Sequence, residues 1–159
     1  MPVLLFKFRQ PFKASMSDQT SVTDLLKERG IRKTPARIGI ATFFLDQKHA
    51  VSHADLESEL GDGYDRVTIY RTLHTFTEKG LIHEINDGSG VGKYALCNHE
   101  CGEHRHLDDH IHFSCKQCGK TYCLDGQSLP PLNLPAGYHV EAISFVASGV
   151  CKDCSMNPN

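Results

Sequence analysis

The chain has no tryptophan, and aromatic residues make up only 8% of its 159 positions. No segment approaches the roughly 20 consecutive apolar residues of a membrane-spanning helix, so no such span is expected. Neither charge sign dominates: 17 Lys and Arg stand against 19 Asp and Glu, a net charge of −2. That balance excludes a wholly basic, nucleic-acid-coating domain and leaves room only for a local basic face. Split near residue 97, the first part carries 13 basic and 12 acidic residues and the remainder 4 and 7. No nucleophile elbow and no phosphate-binding glycine loop is present, which removes the commonest hydrolase and nucleotide-binding classes.

What is abundant is sulfur and imidazole. There are 7 Cys and 10 His, and five of each lie between 97 and 123. The odd cysteine count argues against full disulfide pairing, and clustering of this kind reads as metal binding. The N-terminal stretch Met1 to Ser17 carries Lys7, Arg9 and Lys13 with no acid, and its apolar run Val3 to Phe6 is too short for the core of a signal peptide. Residues 1–17 are therefore expected to form a disordered tail, with Met16 an equally good start, in a cytoplasmic protein.

Residues 18–97 read as a helical domain closed by a hairpin. Ser21 is positioned to cap a first helix with Asp24 as its capping-box partner, stopped by Gly30. Thr34-Pro35 opens a second helix with Ile38, Ala41, Phe44 and Leu45 at helical spacing. Ser52 with Asp55 opens a third, carrying Leu56 and Leu60. Asp65 caps a fourth over 66–79, whose core stripe is Ile69, Leu73 and Phe76 and which Gly80 ends. Residues 81–85 and 93–96 read as two strands joined by a glycine-rich, flexible loop over 86–92. Helices followed by a hairpin describe a winged helix, in which one helix enters the major groove of double-stranded DNA. On that reading Tyr70 meets bases or thymine methyls, Arg66 and Arg71 meet phosphate or guanine, and Arg37 meets phosphate. The competing reading makes these residues a solvated helix face.

The second half is built on His110-Ile-His112-Phe-Ser-Cys115-Lys-Gln-Cys118. Side chains alternate along a strand, so both imidazoles share a face. Cys115-x-x-Cys118 pairs with Cys151-x-x-Cys154 to form a four-cysteine site of the closed, structural zinc type. Tyr138 to Val150 is mostly apolar and strand-like, and the four cysteines would pin its end beside the strand over 110–115. His83, Cys97, one of His110 or His112, and Cys123 remain for a second site joining the two halves. Its mixed nitrogen and sulfur donors favour zinc over harder cations. Residues 98–108 form a hinge rich in further candidate ligands, Cys101, His104 and His106. His139 is expected on the surface or in the core rather than at a metal.

The chain resembles the ferric uptake regulator family of metal-responsive repressors over nearly everything after residue 18. The resemblance rests on Gly30-Ile-Arg-Lys-Thr-Pro-Ala-Arg37, on Thr68-Ile-Tyr70-Arg71-Thr-Leu and on His110-x-His112-x-x-Cys115-x-x-Cys118-Gly119. Cys151-x-x-Cys154 completes it. It implies an α+β fold: an N-terminal winged helix-turn-helix followed by a small α/β dimerisation domain, over 109–159, with structural Zn2+. It also implies a homodimer on a palindromic DNA operator, with Thr68, Tyr70 and Arg71 in the helix that reads it. Iron-type members carry a glutamate where Ala95 stands and an acidic ligand where Cys123 stands. Cys97 and His83 resemble the zinc uptake regulator branch, so Zn2+ is expected at the regulatory site, with Fe2+ or Mn2+ as alternatives. A further family site is altered, with Ile111 in place of Asp and Ile143 in place of His.

Two other functions are weighed. Iron or peroxide sensing within the same family calls for histidine with carboxylate, which cysteines at 97 and 123 disfavour. A zinc deaminase is suggested superficially by His139-Val-Glu141 before Cys151-x-x-Cys154, but the proline expected before the first cysteine is missing. No enzyme is expected.

Overall fold

The structure, a computed structural model, describes residues 16–97, 110–124, 133–139 and 143–157. Residues 1–15 of the expected 1–17 tail, and the hinge with Cys101, His104 and His106, lie outside the described residues, while Met16 and Ser17 belong to the first helix.

The N-terminal head is built from four helices, α1 (Met16–Glu28), α2 (Pro35–Asp46), α3 (His53–Leu60) and α4 (Arg66–Glu78). Helix α1 starts five residues before the expected Ser21 cap. No Gly or Pro interrupts 16–29, so the helix propagates through Ser21. The remaining starts follow local chemistry. The Thr34 side chain accepts from the Arg37 N–H at 3.3 Å, with Pro35 in the first turn. Ser52 and Asp55 form a reciprocal capping box. Asp65 accepts from the Thr68 N–H at 2.9 Å. Gly30 (φ 63°) and Gly80 (φ 65°) take the left-handed conformation that ends α1 and α4.

Val22, Leu26, Ile40, Phe44, Leu56, Ile69, Leu73 and Phe76 form one buried core between the helices. The expected stripe of α4 is fully inside. In α2 the stripe is shifted: Ile40 and Phe43 are buried while Leu45 is 43% exposed. Every turn of α2 carries apolar side chains, so spacing alone does not choose its inner face.

A three-stranded antiparallel sheet closes the head: β1 (Val51–Ser52), β2 (Ile82–Ile85) and β3 (Lys93–Leu96), in the order β1-β3-β2. Strand β1 is two residues long, too short for any alternation to announce it. The metal domain has a second sheet of β4 (Ile111–Cys115), β5 (Thr121–Leu124) and β6 (Val146–Gly149), followed by α5 (Lys152–Met156). Strand β4 lies in the middle, antiparallel to β5 and parallel to β6. Strand structure near the C-terminus is limited to 146–149 among the described residues. Of the expected strand over 138–150, the described residues 138–139 and 143–145 belong to no strand, and the ladder begins only at Val146.

The two halves meet along the hairpin. Ala50, Ile85 and Ala95 form a small apolar cluster against Cys123. The Ala50 N–H donates to the Thr121 carbonyl at 2.7 Å. The loop between β2 and β3, expected to be a flexible tip, is tied down at Asp87. Its enclosed carboxylate accepts from the Ser89 N–H at 3.0 Å and from Lys93 Nζ at 2.7 Å. Burial alone would raise the Asp87 carboxyl, but Lys93, Ser89 and Thr121 together hold it well below the usual carboxylate range.

Candidate metal centres and nucleic-acid interface

Two groups of metal-ligating side chains assemble among the described residues. The first is Cys115, Cys118, Cys151 and Cys154, whose sulfurs all lie within 4.8 Å of one another. Cys115 ends β4, Cys118 follows in the turn that Gly119 (φ 71°) closes, and Cys151 and Cys154 come from the start of α5. The Cys118 and Cys151 sulfurs are 3.8 Å apart, and the Cys151 N–H donates to the Cys115 sulfur at 3.3 Å. The backbone N–H of Cys118, helped by those of Cys151 and Gln117, holds the Cys115 thiol down to about 6. The Cys154 thiol is pushed up to about 12, first by its hydrogen bond with Cys151. One thiol ionises only at another's expense, so four thiolates need a cation among them. Four converging sulfurs from two knuckles suit a closed tetrahedral zinc site.

The second group is His83, His110, His112 and Cys123, with donor atoms again within 4.8 Å of one another. The two sheets set this geometry. His83 sits on β2 opposite Ala95, while His112 sits on β4 opposite Cys123. Alternation puts the rings of His110 and His112 on one face, 4.6 Å apart. His83 Nε2 lies 3.1 Å from His112 Nε2 and 3.6 Å from the Cys123 sulfur. Both histidines of the pair therefore join the cluster, where sequence reasoning left one of them to be chosen.

Two of the donors are buried, His83 to 3% exposure and His112 completely, while His110 and Cys123 are half-buried. His112 Nδ1 and His110 Nε2 are buried and find no hydrogen-bond partner among the described residues. An unpaired buried polar atom costs about 1–3 kcal/mol. Burial, followed by the neighbouring His110, pushes His112 down to about 4. Its ring is thus neutral at pH 7, with a lone pair to give. Among the described residues, three imidazoles and one cysteine sulfur form a soft donor set without carboxylate, which suits Zn2+ better than a hard cation.

Cys97 differs from its expected place. Its sulfur is 3.6 Å from His83 Nδ1, the ring nitrogen opposite the one facing Cys123 and His112. It lies behind His83 rather than among the four converging donors. Ring orientation decides this, and strand pairing alone does not fix it. His139 is exposed.

The DNA-reading candidates lie on and around α4. Arg66 (82% exposed side chain) and Tyr70 (62%) project from its outer face, with Arg71 also exposed. The Arg66 guanidinium lies 3.5 Å from the Glu57 carboxylate of α3. Thr68 is engaged in the cap, donating to Asp65 at 2.6 Å. Arg37 braces the head from within, donating to the Arg32 carbonyl at 3.0 Å and to Thr75 at 3.2 Å. Val67 (54% exposed) was missed by sequence reasoning and stands beside Arg66 and Tyr70, facing the groove shared with Val91 of the hairpin loop. A β-branched residue off the Ile69-Leu73-Phe76 stripe was its available signal.

A sequence profile described as the ferric uptake regulator family matches residues 28–130. The peroxide operon regulator of Bacillus subtilis (strain 168) is 26% identical over 143 residues, covering 86% of this chain and 92% of that protein. The ferric uptake regulation protein of Staphylococcus aureus (strain Mu50 / ATCC 700699) is 27% identical over 135 residues, covering 82% and 93%. The solved structure of a zinc uptake regulator complexed with zinc and DNA shares the fold. Its TM-score is 0.62 at 20% identity, covering 91% of this chain and 97% of that one.

Proposed function

Because the chain belongs to the ferric uptake regulator family, we propose that it is a DNA-binding transcriptional repressor that senses zinc and controls metal-uptake genes. The observation that carries this reading is the cluster of His83, His110, His112 and Cys123, one donor from the hairpin and three from the metal domain. A cation held there draws the reading head onto the metal domain. The soft donor set selects for zinc, and the lack of carboxylate among its described donors weighs against iron or peroxide sensing. Cys97 acts from behind His83, fixing which nitrogen faces the cluster, as groups behind metal-bound imidazoles do. The four cysteines hold a second, permanent zinc.

The protein works as a homodimer in the cytoplasm, on a palindromic double-stranded operator. Strand β6 lies at an edge of its sheet, and Val146 and Val150 are exposed there, a surface that a second copy would cover. Two heads held at one angle place both α4 helices in successive major grooves, half-sites about 34–36 Å apart. Metal acts by favouring that angle, to the extent of its differential affinity for the two arrangements. In each groove Tyr70, Arg66 and Arg71 face the bases and phosphates, and Val67 adds an apolar contact of the kind thymine methyls accept. No helix among the described residues is long and apolar enough to cross a membrane.

Selection of duplexes from a random library by the zinc-loaded protein tests this reading. The expected product is an inverted repeat. Tyr70→Ala or Arg71→Ala should weaken its binding by about 1–3 kcal/mol with no change in zinc content. Enrichment of no sequence, or of one without two-fold symmetry, contradicts the proposal.

A further inference from the structure

The hairpin is fastened to the metal domain a second time, away from the His and Cys donors. Asp87, in the loop between β2 and β3, has a completely enclosed side chain, and Lys93, the first residue of β3, is only 13% exposed. Lys93 Nζ donates to Asp87 at 2.7 Å, to the Gly119 carbonyl at 2.7 Å and to Thr121 Oγ1 at 3.0 Å. Those bonds use all three ammonium protons. The Thr121 hydroxyl in turn donates to Asp87, and Ser114 Oγ lies 3.5 Å from the same carboxylate oxygen. Thr121 has no exposed surface. Two residues of the reading head and three of the metal domain thus form a closed, charge-paired network centred on an enclosed carboxylate.

Its position gives it a role. Lys93 pairs with Ile85 and His83 with Ala95 on one hairpin, while Thr121 and Cys123 lie two residues apart on β5. The network and the four-donor cluster therefore bridge the same pair of strands at neighbouring points. Buried ion pairs fix one arrangement against its alternatives more than they add stability, and losing one partner leaves the other buried and uncompensated. Whatever favours the closed arrangement without metal raises the apparent affinity for a metal that needs that arrangement.

We propose that Asp87, Lys93 and Thr121 are positioning residues that hold the head against the metal domain before metal binds, and so set the zinc concentration at which the protein engages DNA. The proposal rests on the zinc-responsive reading above and adds residues outside both metal sites.

The test uses the full-length dimer and its selected duplex in zinc buffers. Asp87→Asn and Lys93→Met should each raise the free zinc giving half-maximal DNA binding about tenfold or more. The double variant should do little further harm, because the two residues act as one unit. Duplex affinity at saturating zinc should stay within about threefold of the native value, since ample metal restores closure. Thr121→Val, which keeps the shape and removes the hydroxyl, should shift the zinc midpoint in the same direction by less. An unchanged midpoint in these variants overturns the proposal. So does an equal loss of affinity at saturating zinc, which would mark a damaged head rather than a shifted equilibrium. A native protein whose DNA binding ignores zinc would instead fail at the reading beneath, with the variants irrelevant to that result.

Discussion

Replacing Cys115 with Ser is expected to cost the metal domain its fold and the protein its dimer. The reason is how little apolar surface the described part of that domain buries. Among the described residues of the metal domain, the buried side chains are the sulfurs of Cys115 and Cys151 and the polar groups of His112 and Thr121. Strand β6 is largely exposed. Small domains with so little apolar burial depend on staples, and in zinc-finger peptides the metal contributes roughly 10–16 kcal/mol of apparent binding free energy, which is folding free energy. A loss on that scale is comparable to the whole stability of an ordinary domain. The reading head has its own core of large apolar residues from Val22 to Phe76 and should persist. Cys115→Ser should therefore lose the zinc of the four-cysteine site and sediment as a monomer, yet keep a cooperative helical unfolding transition by circular dichroism. Retention of that zinc and of the dimer would contradict the assignment.

The second large effect separates Cys123 from Cys97. Cys123 lies in the four-donor cluster, while Cys97 touches the far nitrogen of His83. Removing a donor should abolish the saturable response of DNA binding to zinc. Removing the group behind a donor should weaken it by about 10–100-fold and leave it saturable. Cobalt, added to protein that retains zinc in its four-cysteine site, reads this directly. The sulfur-to-cobalt charge-transfer band should vanish in Cys123→Ser and survive in Cys97→Ser. The reverse pattern would make Cys97 the ligand and Cys123 the bystander.

Much of this arrangement is legible in local sequence, where the determining chemistry lies within a few residues. Thr34-Pro35, Ser52 with Asp55, and Asp65 with Thr68 open helices through bonds spanning three positions. The paired Cys-x-x-Cys motifs mark four sulfurs that converge once β4 and β6 pair. What stays hidden depends on orientation or on contacts distant in sequence. The side of His83 that Cys97 meets is set by the rotation of one ring. Arg37 resembles a phosphate ligand in its motif, yet its guanidinium reaches Thr75, 38 residues away. Asp87 and Lys93 flank a glycine-rich loop that suggests mobility, and only the approach of Gly119 and Thr121 turns them into a tether. The start of α1 and the two-residue β1 offered no distinctive residue to read.

The most direct measurement of the central claim is binding of the selected duplex as free Zn2+, Fe2+ and Mn2+ are each varied in buffered solution. With three imidazoles and a thiolate in the shared cluster, zinc should drive binding at the lowest free concentration, and Cys123→Ser should remove that response. Binding driven by ferrous iron with no response to zinc would contradict it.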